Sequence, residues 1–116
     1  VQLIVSEFTA AALEGVLLRK LDRVTVKGKQ EPVTIYEAVS LAGQAAPSLT
    51  DEIVASNQAL EHYFRGDWAA ARRAFRELHN GASQSGFYKL LLSRIDALES
   101  RGIGPGWDGV FEHTSK

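Results

Sequence analysis

Two lysines bracket a glycine at Lys27-Gly28-Lys29. An ammonium on a flexible four-carbon stem is a compact, mobile point charge suited to phosphate oxygens, so the chemistry expected there is the binding of an anion. The runs on either side, Leu17 to Val26 and Val33 to Val39, are rich in the residues that fit a pleated strand. Gly28 supplies the positive φ that a tight connection needs, and Pro32 is tolerable only at the start of the returning strand, where its missing N–H costs nothing. A hairpin that presents positive charge at its tip follows from these residues alone. Lysines also decorate most exposed turns, so the tip takes its meaning from the elements around it.

The remaining residues with chemical potential are less organised. Asp22, Asp51 and Asp108 have no partners at metal-site spacing and read as caps, turns or solvated positions. His62, His79 and His113 are far apart and form no His-Glu-x-x-His motif, which argues against zinc. No Gly-x-Ser-x-Gly elbow supports a hydrolytic serine. Arg65, Arg72, Arg73 and Arg76 are interleaved with Glu61, Asp67 and Glu77, the pattern of a salt-bridged surface. Trp68, Phe75 and Phe87 fall on apolar helical stripes, which assigns them to packing.

At 116 residues the chain is one small domain or two sub-domain pieces. Hydrophobic content of 45% and charged content of 23% are those of a globular protein, and no run approaches the roughly 18 apolar residues of a membrane span. A formal net charge of -1 gives no global field toward nucleic acid, so anion binding is local to the hairpin. Cysteine is absent, which removes disulfides and thiolate chemistry. Methionine is also absent and the chain opens inside the strand-like run Val1 to Val5, the expectation being a segment of a longer protein.

The elements that must position the tip follow from periodicity. Val1 to Val5 reads as a short strand, and Ser6 is a suitable cap for a helix through Ala10 to Leu13 that ends near Gly15. The apolar phase of the next strand shifts between Leu21 and Val24, predicting a bulge near Asp22-Arg23. Residues 42–50 lose periodicity and gain Gly, Pro and Ser, which marks a linker. Ser48 or Thr50 can then cap a helix carrying Ile53, Leu60 and Phe64, broken at Gly66-Asp67. Trp68, Ala71, Phe75 and Leu78 predict a second helix stopped at Asn80-Gly81, and Phe87, Leu91, Ile95 and Leu98 a third, ended by Gly102 to Gly106. Trp107 to Phe111 reads as a tight turn leading into an extended tail. The fold class expected is α+β, a strand-helix-hairpin unit followed by a small helical unit.

The pattern Ala59, Gly66-Asp67-Trp68, Ala71, Phe75, Leu78 resembles one tetratricopeptide repeat, in which small residues let two helices approach closely. Residues 21 to 37, Leu-Asp-Arg-Val-Thr-Val-Lys-Gly-Lys-Gln-Glu-Pro-Val-Thr-Ile-Tyr-Glu, resemble the closing hairpin of the catalytic domain of class III adenylate/guanylate cyclases. Val1 to Glu7 is similar to the strand and helix start that come before it in that family, and the ending Trp107-Asp108-Gly109-Val110 is similar to the tails of bacterial members with sensor domains and membrane helices. The resemblance implies four segments: the end of a catalytic domain over 1–41, a linker over 42–50, a tetratricopeptide-like extension over 51–101 and a tail over 102–116.

For the site, the resemblance implies that Lys27 contacts the triphosphate of the substrate, with Lys29 the weaker candidate. It also implies ATP in preference to GTP, Mg2+ or Mn2+ in the intact enzyme with ligands outside this segment, and a homodimer of catalytic domains. Catalytic residues proper lie outside this segment, so the segment alone is inactive. The implied location is the cytoplasm, with a parent anchored in the inner membrane. The alternative is a protein-interaction module in which residues 51–101 bind a protein partner. Nucleic-acid binding by the hairpin is disfavoured by the balanced charge and by the lack of aromatics around Lys27.

Overall fold

Ser6 closes the first strand and opens the first helix. In the computed structural model, which describes residues 3–25, 28, 30–41, 43–81 and 85–112, β1 runs Leu3–Ser6 and α1 runs Glu7–Ala12. The Ser6 hydroxyl accepts the Thr9 N–H at 3.3 Å, the capping bond that its residue type suggests. Two long strands follow, β2 over Val16–Val24 and β3 over Val33–Leu41. All pairings are antiparallel and the order is β1-β3-β2, so β3 is central and β2 forms an edge.

The register of β2 against β3 shifts between Lys20 and Asp22, one residue before the position that the apolar phase suggests, and again between Leu17 and Leu18. The first shift has a consequence for side-chain direction. Residues three apart on a regular strand point to opposite faces, but Arg19 pairs with Glu37 and Asp22 with Ile35, two positions on one face of β3. The extra residue therefore turns Arg19 and Asp22 to the same side.

Three helices complete the α+β fold: α2 over Pro47–Phe64, α3 over Trp68–Gly81 and α4 over Ser85–Ser100. The first starts ahead of Ser48 and Thr50. Ala46 is its N-cap, without a side-chain bond, and Pro47 fills the first turn, where a missing N–H is harmless. Gly66, at φ +76°, ends it: the Gly66 N–H bonds to the Tyr63 carbonyl and the Asp67 N–H to the His62 carbonyl, both at 3.0 Å, which is a Schellman closure. Asp67 then starts α3, its carboxylate lying 3.4 Å from the Ala70 N–H.

The core lies within the helical unit. Tyr63, Phe75, Tyr88, Leu91 and Ile95 are fully buried, and so are Ala59 and Ala71, whose small side chains let α2 and α3 approach. Trp68 and Phe75 belong to this core and Phe87 packs against it, as their stripes suggest. Trp107 folds back onto the core, its ring edge-on to Tyr63 at 5.4 Å and its indole N–H donating to the Tyr63 carbonyl at 3.2 Å. Among the described residues, no helix is long and apolar enough to cross a membrane.

Candidate functional site

The hairpin forms, but β2 ends at Val24 and eight residues separate it from β3, a longer connection than the tight one the sequence suggests. The last pair of the ladder is Val24 with Val33, and Gly28 in the connection adopts φ +88°, a left-handed conformation that L side chains rarely take. Lys27 and Lys29 themselves lie outside the described residues.

Below the tip, the free side of β2 is occupied by helix. The Asn57 side chain on α2 accepts the Lys20 backbone N–H at 2.8 Å and donates to the Leu18 carbonyl at 3.2 Å. One amide thus satisfies the donor and the acceptor that an edge strand would otherwise expose. Flanking side chains extend the seam. Arg19, only 5% exposed, donates to the Tyr88 hydroxyl at 2.9 Å, and that hydroxyl donates to Glu52 at 2.6 Å. Glu37 and Glu52 stand 3.6 and 3.7 Å from the same guanidinium. Lys20 pairs with Glu61. Asp22 accepts from Arg94 on α4 at 2.9 Å.

Arg23 is the last charged residue of β2. Its guanidinium lies 4.3 Å from the centre of the Phe64 ring, its Nε is 3.4 Å from the Thr34 hydroxyl, and its Nη1 is 3.5 Å from the Asp108 carbonyl. Gly109 makes room for it. A Cβ there would stand 2.7 Å from Arg23 Cδ, and the residue sits at φ +87°. The Trp107-Asp108-Gly109 turn therefore reaches across the helical unit to the root of the hairpin.

A cleft of about 510 Å³ beside the hairpin root is lined by Glu7, Glu31, Glu61 and Asp108 against Lys20 and Arg23. Its cations are already engaged, and Glu7 accepts the Thr34 N–H at 2.6 Å. The hydrogen bond from Lys20 holds the Glu61 carboxyl below the usual carboxylate range, partly opposed by burial. Four carboxylates outnumber the two cations that line the cleft, so it disfavours a phosphate chain. Inside the seam, burial pushes the Tyr63 phenol up to about 12, against the opposing charge of Arg94. Burial and then the bond to Glu52 raise Tyr88.

The other sequence candidates stay apart. Asp22 is an ion-pair partner, Asp51 is exposed in α2, and the Asp108 carboxylate accepts the Val110 N–H at 3.0 Å in a local turn. His62 faces Arg65 at 3.1 Å and Asp67 at 4.0 Å, while His113 lies outside the described residues. Arg72 pairs with Asp96 and Glu99, and Arg73 and Arg76 are exposed. Among the described residues, no three His, Asp or Glu side chains converge as metal ligands would.

Arg19, Asn57, Tyr88 and Arg94 escape a motif-based reading because their partners are 18 to 72 residues away. One signal does exist: Arg19, Lys20, Asp22 and Arg23 put four charges into a single strand, which demands polar partners somewhere in the fold. Comparison of the chain with family models, with curated proteins and with solved structures gives no significant match.

Proposed function

We propose that the chain is the C-terminal part of a class III adenylate cyclase, which converts ATP to 3′,5′-cyclic AMP and pyrophosphate. The observation that carries this reading is Gly28 at φ +88° between two antiparallel strands, in a segment whose neighbours are Lys27 and Lys29. The order strand, helix, hairpin agrees with the resemblance of residues 1–41 to the end of that catalytic domain. Leu3 and Ile4 on the edge strand β1 and Leu41 at the end of β3 are all about half exposed or more, apolar surface that a larger catalytic sheet would cover.

In the reaction, the ribose 3′-oxygen attacks the α-phosphorus, the bond from that phosphorus to the pyrophosphate oxygen breaks, and the proton of the 3′-hydroxyl passes to water. Charge then grows on the leaving pyrophosphate. The role proposed for the Lys27 ammonium is to bind the triphosphate and neutralise part of that charge, with Lys29 a weaker contributor. The described residues do not fit the Mg2+ or Mn2+ that the class implies, since no set of three ligands converges among them.

The test is the steady-state kinetics of the intact enzyme with ATP. Lys27→Ala is expected to raise KM and to lower turnover, by about tenfold or more in kcat/KM, with Lys29→Ala doing less. Unchanged kinetics for Lys27→Ala would remove its role, and absence of any cyclic nucleotide from the wild type would remove the assignment.

A further inference from the structure

We infer that the open groove between α2 and α3 is a docking site for a basic amphipathic helix of a partner protein. The inference does not depend on the cyclase reading.

Two cavities of about 620 and 260 Å³ lie along this seam and share Glu77 and Leu78 of α3. Their α2 wall runs from Ser48 to His62, about 20 Å of helix, which is the length of a docked helix of about four turns. The wall residues Ser48, Asp51, Ala55, Gln58 and His62 recur at helical spacing, whereas Leu60, Tyr63 and Phe64 belong to the core. Helix α2 thus has one stripe closed by the fold and one left open. Ala55, Ala59 and Ala74 line the narrower cavity, and their methyl groups leave room for a third helix to approach to the ordinary packing distance. Leu49 and Leu78 supply apolar contact in the wider one.

Charge selects the occupant. Residues 47–100 carry seven carboxylates. Glu52, Glu61, Asp67, Asp96 and Glu99 each have a basic side chain within 4.0 Å. The two that form no ion pair among the described residues, Asp51 and Glu77, both line the wider cavity, one on α2 and one on α3. No Lys or Arg lines either cavity. Uncompensated negative charge on both walls attracts a cationic segment and repels an acidic one. A bare cation would leave the apolar walls uncovered, and no three carboxylate or imidazole groups converge to ligate one among the described residues. A helix with Ala and Leu on one face and Lys or Arg at its margins satisfies the length, the apolar walls and the charge together.

The experiment uses the full-length protein and two fluorescein-labelled synthetic peptides of about four helical turns. Both carry the same Ala/Leu face, flanked by Lys in one and by Glu in the other. Binding is read by anisotropy and placed by a photo-crosslinker on the peptide. The Lys peptide is expected to bind saturably, to cross-link within α2 or α3 and to weaken as salt is raised, while the Glu peptide stays free. Glu77→Gln and Asp51→Asn are each expected to lower the affinity about threefold, and Glu77→Lys about tenfold or more. Ala55→Leu, which extends a side chain into the narrower cavity, is expected to abolish binding with the melting temperature retained; should it unfold the protein, Glu77→Lys at its exposed position decides. Lack of saturable binding below about 1 mM, equal binding of the two peptides, or wild-type affinity in Glu77→Lys overturns the site. Self-association of the wild type that Glu77→Lys abolishes makes a second copy the occupant and overturns the separate partner.

Discussion

Arg94 Nη1 lies 2.9 Å from Asp22 Oδ2 and ties the last helix to the edge strand across 72 residues of sequence. The two side chains are 11% and 20% exposed, so the pair is largely removed from solvent. Removing one partner leaves the other charge poorly solvated, which costs more than the pair gains over an uncharged replacement. Arg94→Leu is therefore expected to destabilise the fold by about 2 kcal/mol, and Asp22→Asn combined with it by less than the sum of the single changes. Urea denaturation of the four proteins of this double-mutant cycle checks the expectation; additive losses would show that the charges are not coupled.

Two glycines with similar backbone angles should respond differently to substitution. Gly28 and Gly66 stand at φ +88° and +76°, but a Cβ on Gly28 meets open space whereas one on Gly66 would lie 2.8 Å from the backbone of Gly104 and Pro105. Gly28→Ala carries only the cost of a left-handed alanine, about 1 kcal/mol. Gly66→Ala adds a clash with backbone that has no flexible end to move, and is expected to cost about 2–4 kcal/mol. The two melting temperatures decide the matter, and a larger drop for Gly28→Ala would contradict the packing at Gly66.

The Lys20–Glu61 contact gives stability a dependence on acid. Hydrogen bonding from Lys20 depresses the folded-state pKa of Glu61. The unfolded chain therefore binds this proton more readily. The pair's contribution is complete above the ordinary glutamate value of about 4.3 and is lost as pH falls through the lower folded value. Glu61→Gln should flatten the acid side of the stability curve below that point. Melting temperatures of both proteins between about pH 3 and pH 7 test this, and parallel curves would show that the contact carries no linkage. The side chain of Glu61 is 42% exposed, so salt should weaken the difference.

Local chemistry was sufficient for much of the fold. Ser6 announces its cap, Pro32 its place ahead of β3, Gly66-Asp67 the break between helices, and the spacing of Trp68, Ala71 and Phe75 a buried stripe. Each depends on contacts within about one turn of helix or one strand step, and such contacts are written in neighbouring residues. The start of α2 was less legible, because Ser48 and Thr50 look like caps while Pro47 allows the helix to begin earlier behind an uncapped Ala46.

For the site, residue types alone determined that a cationic turn closes a hairpin, since Lys-Gly-Lys between two β-patterned runs encodes both charge and bend. The tertiary structure decided what stands behind that hairpin. Whether Arg19 and Asp22 face one way depends on a single extra residue in the register, and whether Asn57, Tyr88 and Arg94 meet them depends on how three helices dock along an edge strand. These partners are set by chain topology and by the packing of the core, quantities summed over the whole fold, and no local pattern of residues carries them.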